Sequence, residues 1–257
     1  VVAFVALLLV NACATVPETG RSQLLLITHT QEIEVGLAEF EKLKQSTPVS
    51  SGTEAAALLD AVGTRIAAVV PLPNARWEFV LFDEPKIANA FCLPGGKVGV
   101  YSGILKVTQD EEGLATVVSH EIAHAVARHG AERVSQGLLT ELGGQVLEQA
   151  VATQGAVTQQ IVVSAYGIGT TVGVMLPYSR RQELEADYLG LIYMARAGYD
   201  PRAAIAFWKR FREYNQQQGT RPLAFLSTHP LDQTRIQRLE SQLPTALAEY
   251  REATGKP

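Results

Sequence analysis

His120-Glu121-Ile122-Ala123-His124 places two histidines four residues apart with a glutamate beside the first. Leu114, Val117, Val118, Ile122, Ala125 and Val126 flank the motif at helical spacing, which puts it on a buried helix. Two imidazoles and a carboxylate buried on one helix are costly unless something binds them. Residues four apart sit about one turn apart on one face, so both rings can reach a single ion at roughly 2.0–2.1 Å. Chance alone gives an H-E-x-x-H pattern in roughly one of a hundred chains of this composition. A metal reading therefore needs partners elsewhere in the sequence.

A hydrolytic metal site keeps three protein ligands and one open position. In such a site Glu121 would hold the water at the open position, take its proton and return it to the leaving amine. An extension with Gly at 127 and His at 130 is missing, because the chain has Ala127 and Gly130 there. His29 does not fit easily as a third ligand, and His129, five residues after His124, falls off the ligand face and reads as a helix-end residue. Residues 179–187 offer acids instead: Glu183 and Asp187 are four apart on one helix face, with Glu185 on roughly the opposite side. A ligand with a supporting carboxylate is therefore the Glu183/Asp187 pair, with Asp187 placed to accept a ring N–H from a ligating histidine.

The 257 residues are 47% hydrophobic and 19% charged, enough for one large domain with a real core and too apolar for disorder. Net charge is −4 with no long Lys/Arg block, which argues against a nucleic-acid partner. Cys13 and Cys92 are too few for a cysteine-rich zinc site or a disulfide framework, so His and carboxylates must hold any metal. Apolar periodicity and turn residues predict helices at about 30–45, 53–70, 102–107, 110–129, 131–151, 180–197, 201–215 and 232–253. Strands are predicted at 77–82, 87–91 and 97–101, with Pro94-Gly95-Gly96 turning between the last two. The fold class is mainly α (α+β), with a small sheet next to the H-E-x-x-H helix. Residues 161–176 are apolar but too short for a confident membrane span, and read as a loop or helix packed over the core.

Val1 to Val10 is an unbroken apolar run with the length of a signal-peptide core, and Val10-Asn11-Ala12-Cys13 follows it like a bacterial lipoprotein signal. Residues 1–13 are thus read as an export-signal remnant with Cys13 lipidated, 14–21 as a linker, and 22–257 as a single domain. The expected location is periplasmic, on the membrane through that lipid, with the outer membrane favoured.

With these segments in hand, the chain resembles the gluzincin metallopeptidase family that contains the CaaX prenyl proteases, HtpX, LoiP and the Oma-type proteases. Asn89-Ala90-Phe91, Leu93-Pro94-Gly95-Gly96-Lys97, residues 120–133, residues 176–191 and Ser227-Thr228-His229-Pro230 with Arg235-Ile236 carry the likeness. It runs from about Gly20 to Leu239 and is nearest to small exported lipoprotein members. The resemblance implies a zincin-like domain with one Zn2+ on His120, His124 and Glu183. Glu121 would be general base, Asp187 the supporting carboxylate, and His229 either a donor to the oxyanion or a cap on the zinc. It implies polypeptide substrates lying on an edge strand at Lys97–Tyr101, with Asn89, Ala90, Lys97, Val98 and Gly99 as substrate contacts. The implied activity is a metalloendopeptidase cutting unfolded or misassembled envelope proteins. The alternative is a zinc-binding, chaperone-like or self-inhibited protein with little peptidase activity.

Overall fold

The structure, a computed structural model, describes residues 13–72, 74–142, 179–217, 224–231 and 233–256. The apolar run at 1–10, the apolar stretch 161–176 and the segment 176–178 lie outside the described residues. The described residues open with a hairpin, β1 (Cys13–Thr15) and β2 (Ser22–Leu24), followed by α1 (His29–Ser46) and α2 (Glu54–Ala67). Next come β3 (Glu78–Phe82), β4 (Ala90–Leu93), β5 (Lys97–Tyr101) and the short α3 (Leu105–Thr108). Then follow α4 (Glu111–Val126), α5 (His129–Leu142), α6 (Arg180–Arg196), α7 (Arg202–Gln217), the short α8 (Ala224–Thr228) and α9 (Gln233–Thr254). The architecture is mainly helical with small sheets.

Local chemistry sets the helix starts. The Thr53 hydroxyl accepts from the Ala56 N–H and Asp110 accepts from the Gly113 N–H at 2.7 Å, starting α2 and α4. Ser179 and Gln182 form a reciprocal capping box at the start of α6. Every residue of α4 from Gly113 to His124 is buried, so this helix is the core of the domain rather than one side of it. It packs on α6 closely because of Gly190, where a Cβ would stand 3.1 Å from the His120 backbone.

The predicted helix over 110–129 is interrupted. Arg128 adopts φ 55, a left-handed conformation that breaks the ladder, and His129 begins α5. The turn brings His129 back into the protein, fully buried, rather than leaving it at a helix end.

The expected 14–21 linker is also replaced by structure. Cys13–Thr15 pairs antiparallel with Ser22–Leu24, and Val16 is 1% exposed within the main core. Gln23 Nε2 donates to the Ala127 carbonyl at 3.0 Å, and the Leu26 N–H donates to Ser135 Oγ at 2.8 Å. These bonds clamp the segment onto α4 and α5.

The main sheet runs β3-β5-β4, with β5 parallel to β3 and antiparallel to β4. Lys97–Tyr101 is therefore the central strand, not the edge expected for it. Lys97 Nζ is bound to Glu78 at 3.0 Å and the Arg76 carbonyl at 2.8 Å, Val98 is fully buried, and the Phe91 and Phe82 rings lie over Gly99. The edge beside α4 belongs to β4. Tyr101 donates to the Asn89 carbonyl, so by antiparallel alternation Phe91 and Leu93 turn their backbone groups toward β5. Ala90 and Cys92 turn theirs away. Among the described residues no strand pairs with that side.

Candidate metal centre

His120 and His124 project from one face of α4, and Glu183 reaches them from the first turn of α6. His120 Nε2 is 3.1 Å from His124 Nε2 and 3.6 Å from Glu183 Oε2. His124 Nε2 is 3.4 Å from Glu183 Oε1. His229, just after α8, enters the same space: its Nδ1 is 3.0 Å from Glu183 Oε1 and 3.3 Å from His120 Nε2. One donor atom from each of the four residues lies within 4.8 Å of the others, and all four are buried.

This donor set fits a metal ion. Imidazole nitrogens and a carboxylate converge where solvent cannot separate them, an arrangement that is costly without a cation to share. Imidazole and carboxylate suit zinc. Glu121 lies beside the group, with Oε1 3.4 Å from His229 Nε2 and no hydrogen bond of its own. Burial pushes the Glu121 carboxyl above its ordinary range, the direction that favours a proton-accepting and proton-returning role.

A second ring of charges holds the first. Asp187 Oδ1 stands 3.1 Å from His120 Nδ1, on the side away from the cluster. Arg235 grips both Asp187 oxygens at 2.7 Å, reaches Glu183 Oε2 at 2.6 Å, and lies 4.3 Å over the Trp208 ring. Burial, the largest single influence, would raise the Glu183 and Asp187 carboxyls, but Arg235 together with His120, and for Glu183 also His229 and His124, outweighs it and holds both below their usual range. Burial lowers His120, yet the Asp187 and Glu183 carboxylates outweigh it and push the imidazole up to about 9. Behind His124, Nδ1 of His129 lies at 2.8 Å, and His129 Nε2 lies 2.9 Å from Glu185 Oε2.

Sequence spacing singled out His120, Glu121, His124, Glu183 and Asp187, the family resemblance added His229, and the structure brings all six side chains together. It missed His129, Glu185 and Arg21, and it quoted Arg235 without a role. The signal for Arg235 was available in principle, because two buried acids call for a buried cation. No local pattern announces the left-handed turn that delivers His129. Of the expected substrate contacts, Ala90 begins the edge strand and Asn89 immediately precedes it, while Lys97, Val98 and Gly99 lie in the central one. Cys92 is buried beside the site, and burial with the Glu121 charge pushes its thiol pKa up, which keeps it protonated and unreactive.

A mainly helical body, with a small sheet beside a buried H-E-x-x-H helix that meets a glutamate from a second helix, defines a zincin-like metallopeptidase domain. The family pattern described as peptidase family M48 matches residues 54–243, and the chain belongs to that family. It is similar to the "Mitochondrial metalloendopeptidase OMA1" of Schizosaccharomyces pombe, 41% identical over 71% of this chain and 51% of that protein. It is 30% identical to "Metalloendopeptidase OMA1, mitochondrial" of Homo sapiens over 90% of this chain and 46% of that one. It is 27% identical to the "Beta-barrel assembly-enhancing protease" of Escherichia coli over 88% and 46%. The chain spans about half the length of these relatives.

Proposed function

We propose that this chain is a zinc metalloendopeptidase of the bacterial cell envelope that cuts unfolded or misassembled proteins. The convergence of His120, His124 and Glu183 beside Glu121 carries the reading. Zinc held there would polarise a peptide carbonyl and bring the pKa of a water toward ~7. Glu121 takes the proton of the attacking water and hands it to the leaving amine, a role worth about 10²–10⁴ in rate. Asp187 holds the ring of His120 in the orientation that aims Nε2 at the cluster.

The substrate is an extended polypeptide added along β4, where Ala90 and Cys92 turn their backbone N–H and C=O outward. Asn89 supports this: it is 1% exposed, yet neither atom of its side-chain amide has a partner. A substrate backbone satisfies that amide. A cavity of about 110 Å³ beside His124, lined by Ile33, Leu72 and Cys92 but also by Glu32, Asn74 and Arg128, has room for one substrate side chain. The envelope location rests on the lipoprotein-like signal, on exposed Cys13 as the lipid attachment point, and on the name of the Escherichia coli relative. Among the described residues no helix is long and apolar enough to cross a membrane.

The test is cleavage of unfolded casein by the purified chain carrying zinc. Glu121→Ala and chelation should each abolish turnover, with the metal content of Glu121→Ala unchanged. Undiminished cleavage in either case sinks the mechanism.

A second reading is favoured by one observation: His229 lies inside the donor cluster and also reaches Glu121. His229 is then a fourth ligand that closes the open position at rest. His229→Ala should raise basal cleavage several-fold while zinc stays bound. A fall in kcat with unchanged zinc would instead assign His229 to the oxyanion.

A further inference from the structure

The two histidines of α4 are held from behind in different ways. His120 Nδ1 faces the Asp187 carboxylate directly, whereas His124 Nδ1 faces a second imidazole, His129, which in turn faces Glu185. We propose that Arg21, Glu185 and His129 form a positioning chain that fixes the tautomer and ring orientation of His124, making the N-terminal hairpin part of the metal centre. This rests on the zinc reading of the cluster.

The outermost pair determines every donor and acceptor along the chain. Glu185 receives Arg21 Nε at 2.5 Å and the Thr19 hydroxyl, so it is a carboxylate with only lone pairs to offer. His129 Nε2, at 2.9 Å, must therefore carry the proton and donate to it. A neutral His129 then has a lone pair on Nδ1, and the atom 2.8 Å away, His124 Nδ1, has to be the donor. With its proton on Nδ1, His124 turns an unprotonated Nε2 toward His120 and Glu183, the state a metal ligand requires. The opposite order fails at both ends. It makes His129 a buried cation, and it points an N–H of His124 into the donor cluster.

The geometry of α6 makes this double duty possible. Glu183 and Glu185 leave opposite faces of the helix, so one carboxylate joins the cluster while the other stands behind His129. Arg21 is held over Glu185 by its second ion pair, to Glu132 at 2.8 Å, and by the bond from Gln23 to the end of α4. Arg21 precedes the 54–243 segment that matches the family pattern. The support for His124 thus comes partly from outside that segment.

The experiment measures zinc affinity of the whole chain by chelator competition, together with the visible spectrum of the cobalt-loaded protein. His129→Phe should weaken zinc roughly 10–100-fold and alter the cobalt spectrum. His129→Gln should recover part of the loss, because its amide can accept from His124 and donate to Glu185. Arg21→Met should weaken zinc in the same direction by a smaller factor. Wild-type affinity in folded His129→Phe overturns the proposal, and so does an equal loss in the Phe and Gln variants. Should His129→Phe fail to fold, Arg21→Met decides: wild-type affinity and spectrum there overturn it. A parent chain that binds no zinc at all overturns the zinc reading itself, an outcome distinct from either of these.

Discussion

Arg235 holds Asp187 by both carboxylate oxygens at 2.7 Å, and Asp187 Oδ1 in turn stands 3.1 Å from His120 Nδ1. A residue of α9, 48 positions from its partner, thereby sets one buried positive charge against two of the buried acids of α6. Without it, Asp187 and Glu183 would be buried like charges on adjacent turns of one helix.

Arg235→Met should therefore cost on the order of 3–5 kcal/mol, the penalty for stranding buried charges. Arg235→Lys should fall between that and wild type, because an ammonium keeps the charge but loses the two-pronged grip. Urea unfolding of the chelated protein measures both. A loss below ~1 kcal/mol for Arg235→Met would show that the acids are solvated or protonated instead.

Gly190 sits on α6 two turns after Glu183, against the His120 backbone. A methyl group there meets main-chain atoms that cannot swing aside. Gly190→Ala should force α6 away from α4, costing about 1–3 kcal/mol by overpacking and weakening zinc, because Glu183 moves with its helix. Equilibrium unfolding and zinc competition should change together. Lost stability with unaltered zinc affinity would show that the helix shifts without carrying Glu183.

The metal-free protein should depend on pH through His120. Its folded pKa, about 9, lies above the ordinary 6.5. A raised pKa gives stability that is complete below ~6.5 and declines as pH rises through ~9. Chelated protein should thus lose stability across that window. Zinc binding at neutral pH should release a proton from the site, seen as a dependence of binding heat on buffer ionisation. A flat stability profile in the chelated protein between pH 6.5 and 9 would contradict the coupling of His120 to Asp187 and Glu183.

Much of the site was legible because its logic is local. Residues four apart on a helix share a face whatever the rest of the fold does, so His120 with His124, and Glu183 with Asp187, were readable as pairs. Helix starts were readable at Thr53, and the turn between the last two strands at Pro94-Gly95-Gly96, where both glycines have positive φ. Strand order was not. The alternation of β5 is the same at an edge or in the centre, and only the return of β3 alongside it decided that Lys97–Tyr101 is central.

By itself the sequence determined the candidate ligand types, their helical faces and the need for a buried site, since these follow from covalent spacing and the cost of desolvating polar groups. Tertiary structure alone decided what stands behind each ligand. Arg235 behind Asp187, His129 behind His124, and the hairpin behind Glu185 are contacts between residues far apart in the chain, or delivered by one left-handed residue at Arg128. Such pairings depend on how whole helices pack, and helix packing is set by the summed fit of many side chains rather than by any motif.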